Sequence, residues 1–230
     1  MSGKDRTNRR LRAKHKKLIG ELRFLYTDLE YHKEEHEYRK EEFNESFEDW
    51  CDEYGFDCSR PETRETFNEK QTDPYKQKVT EKELKEIEED VYNDPEEQSE
   101  DTDNAEKDLK ALYKKIATKT HPDKLTNEEE ESIKERKRKL FMEAKQALDD
   151  QNFFKLSQIA EELGVELPPP SKQQLMWMRE EKKRIEKIIH NIEQTYEWVC
   201  GEPHNPNMTP EMLYRQYADV IGCVKLEKEG

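Results

Sequence analysis

Long apolar runs are missing from this chain: hydrophobic residues make up 31% of its 230 residues, charged residues 42%, and the mean hydropathy is -1.33. No segment approaches the roughly 18 to 20 consecutive apolar residues of a membrane helix. The basic N-terminus is not followed by the apolar stretch of a signal peptide, so a cytoplasmic protein is expected. Glycine is scarce, at seven, and sustained apolar-polar alternation is absent, which argues against strands and for long helices. The four cysteines, Cys51, Cys58, Cys200 and Cys223, are too few for a disulfide scaffold, and free thiols are expected. Cys51-x6-Cys58 and Cys200-x3-His204 add up to a four-ligand zinc set in number only, because neither has the C-x2-C spacing of a zinc ribbon. His15, His32 and His36 lack an H-E-x-x-H frame and read as polar seam positions. With no nucleophile-base pair, phosphate loop or metal set at diagnostic spacing, the chain calls for no catalytic residue, metal or cofactor.

Charge of both signs is present, unevenly placed. The net charge of -14 argues against nucleic-acid binding by the whole chain. Residues 1–23 nevertheless carry nine Lys/Arg against Asp5 and Glu21, whereas residues 81–106 carry thirteen Asp/Glu against Lys82 and Lys85. Arg9, Arg10, Arg12, Lys14, Lys16 and Lys17 have no aromatic residue among them to stack on bases, so they read as a solvated helix end.

The most informative stretch runs from Asp108 to Lys124. Leu109, Leu112, Tyr113, Ile116, Ala117 and Thr120 share one helical face, while Lys110, Lys114, Lys115 and Lys119 fall outside it. Pro122 cannot continue a helix and disfavours helical geometry at His121, so the helix ends there and presents His121 and Asp123 on a turn followed by Lys124. Thr126-x-x-Glu129 has capping-box spacing and predicts a second helix. Ile133, Leu140, Phe141, Ala144, Ala147 and Leu148 give that helix an apolar face, able to pack antiparallel on the first as a hairpin. Asp103-x-x-Glu106 has the same spacing at the start of the first helix.

This stretch resembles the J-domain of DnaJ-type co-chaperones, whose second helix commonly reads A-Y-R-K-L-A-x-K-Y-H-P-D-K, against Leu112-Tyr-Lys-Lys-Ile-Ala-Thr-Lys-Thr-His-Pro-Asp-Lys124 here. Phe141-Met-Glu-Ala-Lys-Gln-Ala-Leu148 is similar to the family's third-helix run F-K-E-I-N-E-A-Y. The resemblance covers about residues 105–165. Thr120 stands where the family usually has Tyr, and the Tyr-x-x-Leu-Gly signature of its first helix is absent from residues 90–105; either that helix is missing or residues 81–92 substitute for it across a longer loop. The resemblance implies that His121, Pro122, Asp123 and the lysines dock on a DnaK-type heat-shock chaperone and stimulate its ATP hydrolysis. The Gly/Phe-rich segment and four C-x-x-C repeats of full-length DnaJ are lacking, so a specialised recruiter of an unidentified client is expected. A helical scaffold or assembly protein whose J-like hairpin stimulates no chaperone is the alternative.

The rest of the chain divides into an N-terminal helix at 1–55, partly coiled coil through Leu11, Leu18, Leu22, Leu25 and Leu29 and closing on Phe43, Phe47, Trp50 and Tyr54. A largely disordered acidic linker follows at 56–104, with a short helix at 81–92 opened by the capping box Thr80-x-x-Glu83. Beyond the J-like domain at 105–167, residues 168–201 form a heptad helix from Leu175 to Val199, capped by Ser171-x-x-Gln174. Its partner is the N-terminal helix or, in a homodimer, a second copy of itself. Residues 202–230 are a loop and a helix opened by Thr209-Pro210, bearing Met212, Leu213, Tyr217, Val220 and Ile221. The fold class expected is all-α.

Overall fold

The computed structural model describes residues 3–58, 73–92, 102–124, 130–202 and 208–226, with side chains for all of these except residues 3–8, 92, 102–104 and 124. Among the described residues the protein is all-α, with eight α-helices and one two-stranded pairing. The helices are α1 (Gly3–Tyr54), α2 (Glu81–Tyr92), α3 (Thr102–Thr120), α4 (Glu131–Asp149), α5 (Phe153–Glu162), α6 (Lys172–Glu193), α7 (Tyr196–Gly201) and α8 (Pro210–Ile221). A 3-10 turn spans Pro122–Lys124, and β1 (Phe56–Asp57) pairs antiparallel with β2 (Val224–Lys225).

The chain forms two compact units assembled from segments far apart in sequence. One comprises Met1–Leu25 and Val79–Lys183, the other Tyr26–Lys78 and Arg184–Gly230. In the first, α3 and α4 form the expected hairpin, and α5 packs on both. Leu109, Leu112 and Ile116 of α3, Leu140, Ala144 and Ala147 of α4, and Phe153, Phe154, Leu156 and Ile159 of α5 are buried. Ile133, expected on the packing face, is instead 45% exposed. It sits in the first turn of α4, whose first helical residue is Glu131; the Thr126-x-x-Glu129 box lies outside the described residues. Tyr113, Phe141 and Leu148 are half-buried at the edge of this core.

The N-terminal part of α1 joins the same unit through Leu11, Leu18 and Leu22. His15 lies edge-on to Phe153, with ring centroids 5.7 Å apart. Glu21 accepts a hydrogen bond from Lys182 of α6 at 2.8 Å, and Arg23 pairs with Glu161 of α5. The partner that the α6 heptad needed is thus provided here by α1. The α6 capping box forms as the sequence predicts: Ser171 N donates to Gln174 Oε1 and Gln174 N to Ser171 Oγ, both at 3.2 Å. So does that of α2, where Glu83 accepts from Thr80 N at 2.8 Å.

In the second unit, Phe43, Phe47, Trp50 and Cys51 of α1 pack with Tyr214, Tyr217, Ala218 and Ile221 of α8. Met212 and Val220, expected in that face, are exposed. The heptad read through Val199 as one helix is broken. Thr195 takes an extended conformation, donates to Ile192 O at 2.8 Å and accepts from Trp198 N, ending α6 and capping α7. A residue able to cap at a helix start competes with helix continuation, which the apolar spacing alone does not reveal. Part of the expected linker is also ordered: the Tyr75 hydroxyl lies 2.7 Å from His36 Nδ1. The expectation of free thiols fails for two cysteines, because Cys58 and Cys223, brought together beside the β1-β2 pairing, form a disulfide with a Cα-Cα distance of 4.4 Å.

Two outcomes test this packing. Ile116→Ala removes a fully buried side chain and should cost about 2–5 kcal/mol in urea unfolding, whereas Ile133→Ala should stay within about 0.5 kcal/mol. Burial holds the His15 pKa below its ordinary value of 6.5 despite an opposing hydrogen bond to Gln174. The unfolded ring therefore takes up a proton first as pH falls, so this contribution to stability is complete above pH 6.5 and is lost progressively below it. The urea midpoint should drop between pH 7 and pH 5, and His15→Leu should flatten that drop.

Candidate functional site

The hairpin turn is built by the residues that end α3. Thr120 is fully buried, and its hydroxyl donates to Ile116 O at 3.0 Å. This small side chain thus satisfies its own polar atom within the core. His121 N donates to Ala117 O at 2.8 Å, closing the last helical turn, and Pro122 then opens the 3-10 turn. The side chain of His121 is 43% exposed and lies edge-on to Phe141 of α4, with ring centroids 5.1 Å apart. Its Nδ1 accepts from Asp123 N at 3.2 Å. In the neutral ring this contact places the proton on Nε2. The Asp123 carboxylate is 87% exposed, 3.6 Å from His121 Nδ1. The turn therefore offers a positioned imidazole and a solvated carboxylate side by side, with Phe141 behind the ring.

Lys110, Lys114, Lys115 and Lys119 are all exposed on α3, but they are not equivalent. At 100° per residue, Lys110 and Lys114 lie opposite the buried stripe of Leu109, Leu112 and Ile116, whereas Lys115 and Lys119 flank it. Lys110 is 3.9 Å from Glu106 one turn earlier. Lys119 Nζ donates to Leu163 O at 2.7 Å, so this lysine ties α3 to the C-terminal end of α5. The side chain of Lys124 lies outside the described residues. The sequence reading missed Lys107, exposed on the same face as Lys110 and Lys114; its three-four spacing with those two is the signal that identifies it.

The basic run of α4 is largely engaged in ion pairs. Arg136 forms a two-pronged pair with Glu162 of α5 at 2.9 and 2.7 Å. Arg138 pairs with Glu131 at 2.9 Å, and Lys134 with the same carboxylate at 3.5 Å. The less committed cationic surface beside the turn is that of α3. The two histidines His32 and His36 face other groups: His32 Nδ1 donates to Asp28 O at 2.7 Å and its ring stacks on Trp198. Among the described residues no group of three or more His, Cys, Asp and Glu side chains is arranged to hold a metal ion.

No family model, curated protein or solved structure matches the chain.

The division of labour among the lysines is testable by denaturation. Lys119→Met removes a charged donor from a backbone carbonyl and should lower stability by about 0.5–1.5 kcal/mol. Lys114→Met should change it by less than about 0.5 kcal/mol. A larger loss for Lys114 than for Lys119 would reverse the assignment.

Proposed function

We propose that the protein is a J-domain co-chaperone, which recruits a DnaK-type heat-shock chaperone and stimulates its ATP hydrolysis through the His121-Pro122-Asp123 turn. The observation that carries this reading is the combination of that exposed turn with a lysine face on the helix leading into it, both held by a buried α3-α4 hairpin. The lysine face of Lys107, Lys110 and Lys114, with Lys115 at its flank, suits an acidic partner surface and accelerates encounter through a salt-screened attraction. Asp123, conformationally restrained by Pro122, accepts a charge-assisted hydrogen bond from a partner Arg or Lys. Such a bond contributes about 1.5–3 kcal/mol when water is excluded. His121, its proton on Nε2 and its ring backed by Phe141, presents a donor next to it.

The long helices on either side supply the address. The sequence has neither the Gly/Phe-rich segment nor the C-x-x-C repeats of full-length DnaJ, so recruitment to one client or complex is the role assigned to α1 and to the helices beyond α5.

Steady-state ATPase of a DnaK-type chaperone, measured with micromolar full-length protein, tests the proposal. Wild type should stimulate turnover. His121→Gln should abolish stimulation, and Asp123→Asn should raise the concentration for half-maximal stimulation about 10- to 150-fold. Raising salt should weaken wild type more than a Lys107/Lys110/Lys114 triple Met variant. Absence of stimulation by folded wild type would sink the proposal and favour the scaffold alternative.

A further inference from the structure

All four cysteines of the sequence pack in or against one aromatic core of the second unit, although they lie at positions 51, 58, 200 and 223. Two turns bring three of them together. Gly55, at φ 70°, reverses the chain after α1, so that Cys58 returns toward Cys51 in the last turn of that helix. Gly222, at φ 78°, ends α8 and delivers Cys223, whose N–H donates to Ala218 O at 2.9 Å. A left-handed conformation is cheap only for glycine, so both reversals are written into the sequence. The result is a Cys58–Cys223 disulfide with a third sulfur beside it: Cys51 Sγ lies 3.6 Å from Cys58 Sγ. Cys200 is set apart by its own partner, the Tyr214 hydroxyl at 3.8 Å.

A buried thiol in van der Waals contact with one sulfur of a disulfide is in position for exchange. We propose that Cys51, Cys58 and Cys223 form an internal thiol-disulfide exchange site, in which Cys51 displaces Cys223 from Cys58. The Cys51 thiolate attacks Cys58 Sγ, the Cys58–Cys223 bond breaks, and a Cys51–Cys58 disulfide forms. The electron pair of the broken bond leaves on Cys223, which takes up the proton that Cys51 gave up, so no external oxidant or reductant is consumed. The two states differ in what is tied together. The first links the segment after α1 to the segment after α8 across 165 residues of chain, alongside the β1-β2 pairing and the Leu226 N to Gly55 O bond of 2.7 Å. The second closes only the turn at Gly55 and leaves residues 223–226 held by backbone hydrogen bonds and packing alone. Exchange therefore works as a latch on the C-terminal segment.

Burial first, then the nearby Asp52 and Glu48 carboxylates, push the Cys51 thiol up to about 11. Tyr214 and Tyr217 of α8 pack in the same core, and Lys225 lies over the ring of Phe56 at its edge, 5.9 Å from the centroid. The latch is consequently slow at neutral pH and quickens as the thiolate fraction grows, about tenfold in rate per pH unit below that value. A disulfide in a reducing compartment is usually transient or redox-sensing, a role that a three-sulfur arrangement suits.

The test is disulfide mapping of the full-length chain. The protein is equilibrated in a glutathione redox buffer at pH 7 and pH 9, quenched with acid, alkylated with N-ethylmaleimide and digested at acidic pH without reduction. Both Cys58–Cys223 and Cys51–Cys58 linkages should appear, the second reaching its plateau about 100-fold faster at pH 9 than at pH 7. Cys51→Ser should remove only the second linkage, Cys223→Ser should leave it as the single product, and Cys200→Ser should change neither. Cleavage within residues 223–226 by a broad-specificity protease should increase as the second linkage accumulates. Finding Cys51 alkylated in every molecule at both pH values would overturn the proposal. So would four free thiols holding stoichiometric zinc in protein purified without chelator, since that makes the cluster a metal site.

Discussion

Pro122 has no N–H with which to extend α3, and its ring disfavours helical geometry at the residue before it. Everything specific about the candidate site follows from that stop. Because the helix ends at Thr120, His121 is displaced from the helical path. Its ring then meets Phe141, and Asp123 follows on an exposed 3-10 turn. The stop would place nothing if α3 were free to roll, and its orientation is fixed by burial: Leu109, Leu112, Ile116 and Thr120 face α4 and α5, which leaves the lysines of the opposite face outward. Turn and lysine face are thus two consequences of one packed seam.

The seam was legible because its signals are local. Apolar residues three and four apart, a proline after the last of them and a matching face on the following helix all lie within about 40 residues of sequence, and each is an elementary consequence of helical geometry. The same logic located the caps at Thr80, Ser171 and Thr209, where short polar side chains answer exposed backbone N–H groups. What the sequence hid are choices made by distant contacts. Thr195 can continue a helix or cap a new one, and its apolar neighbours Ile192, Tyr196 and Val199 keep heptad spacing either way. Ile133 has the right spacing for the α4 face but lies near the helix start, where the partner helix leaves it exposed. Lys119 carries the same charge as Lys114, and only the placement of Leu163 distinguishes a structural tether from an open cation.

The cysteines show the same limit more sharply. Read along the chain, Cys51-x6-Cys58 matches no familiar spacing, and Cys223 stands alone. Two glycines with positive φ and a two-residue strand pairing bring the three sulfurs into one place. Composition bounded their number, but neither the disulfide nor its neighbouring thiol is encoded in any pattern shorter than the unit itself. The long helices behave likewise. Their heptads announced that a partner was needed, and only the folded chain pairs Glu21 with Lys182 and His32 with Glu193.

The central claim is that the turn and the lysine face of α3 together form the surface that a DnaK-type chaperone reads. The most direct measurement is backbone amide NMR of the full-length protein titrated with ATP-bound chaperone. The account predicts that shift changes and line broadening concentrate at Lys107, Lys110, Lys114, His121 and Asp123, while the buried seam at Leu112, Ile116 and Ala144 is affected little. Saturable changes confined to α6 or α8, with α3 and the turn unaltered, would contradict it.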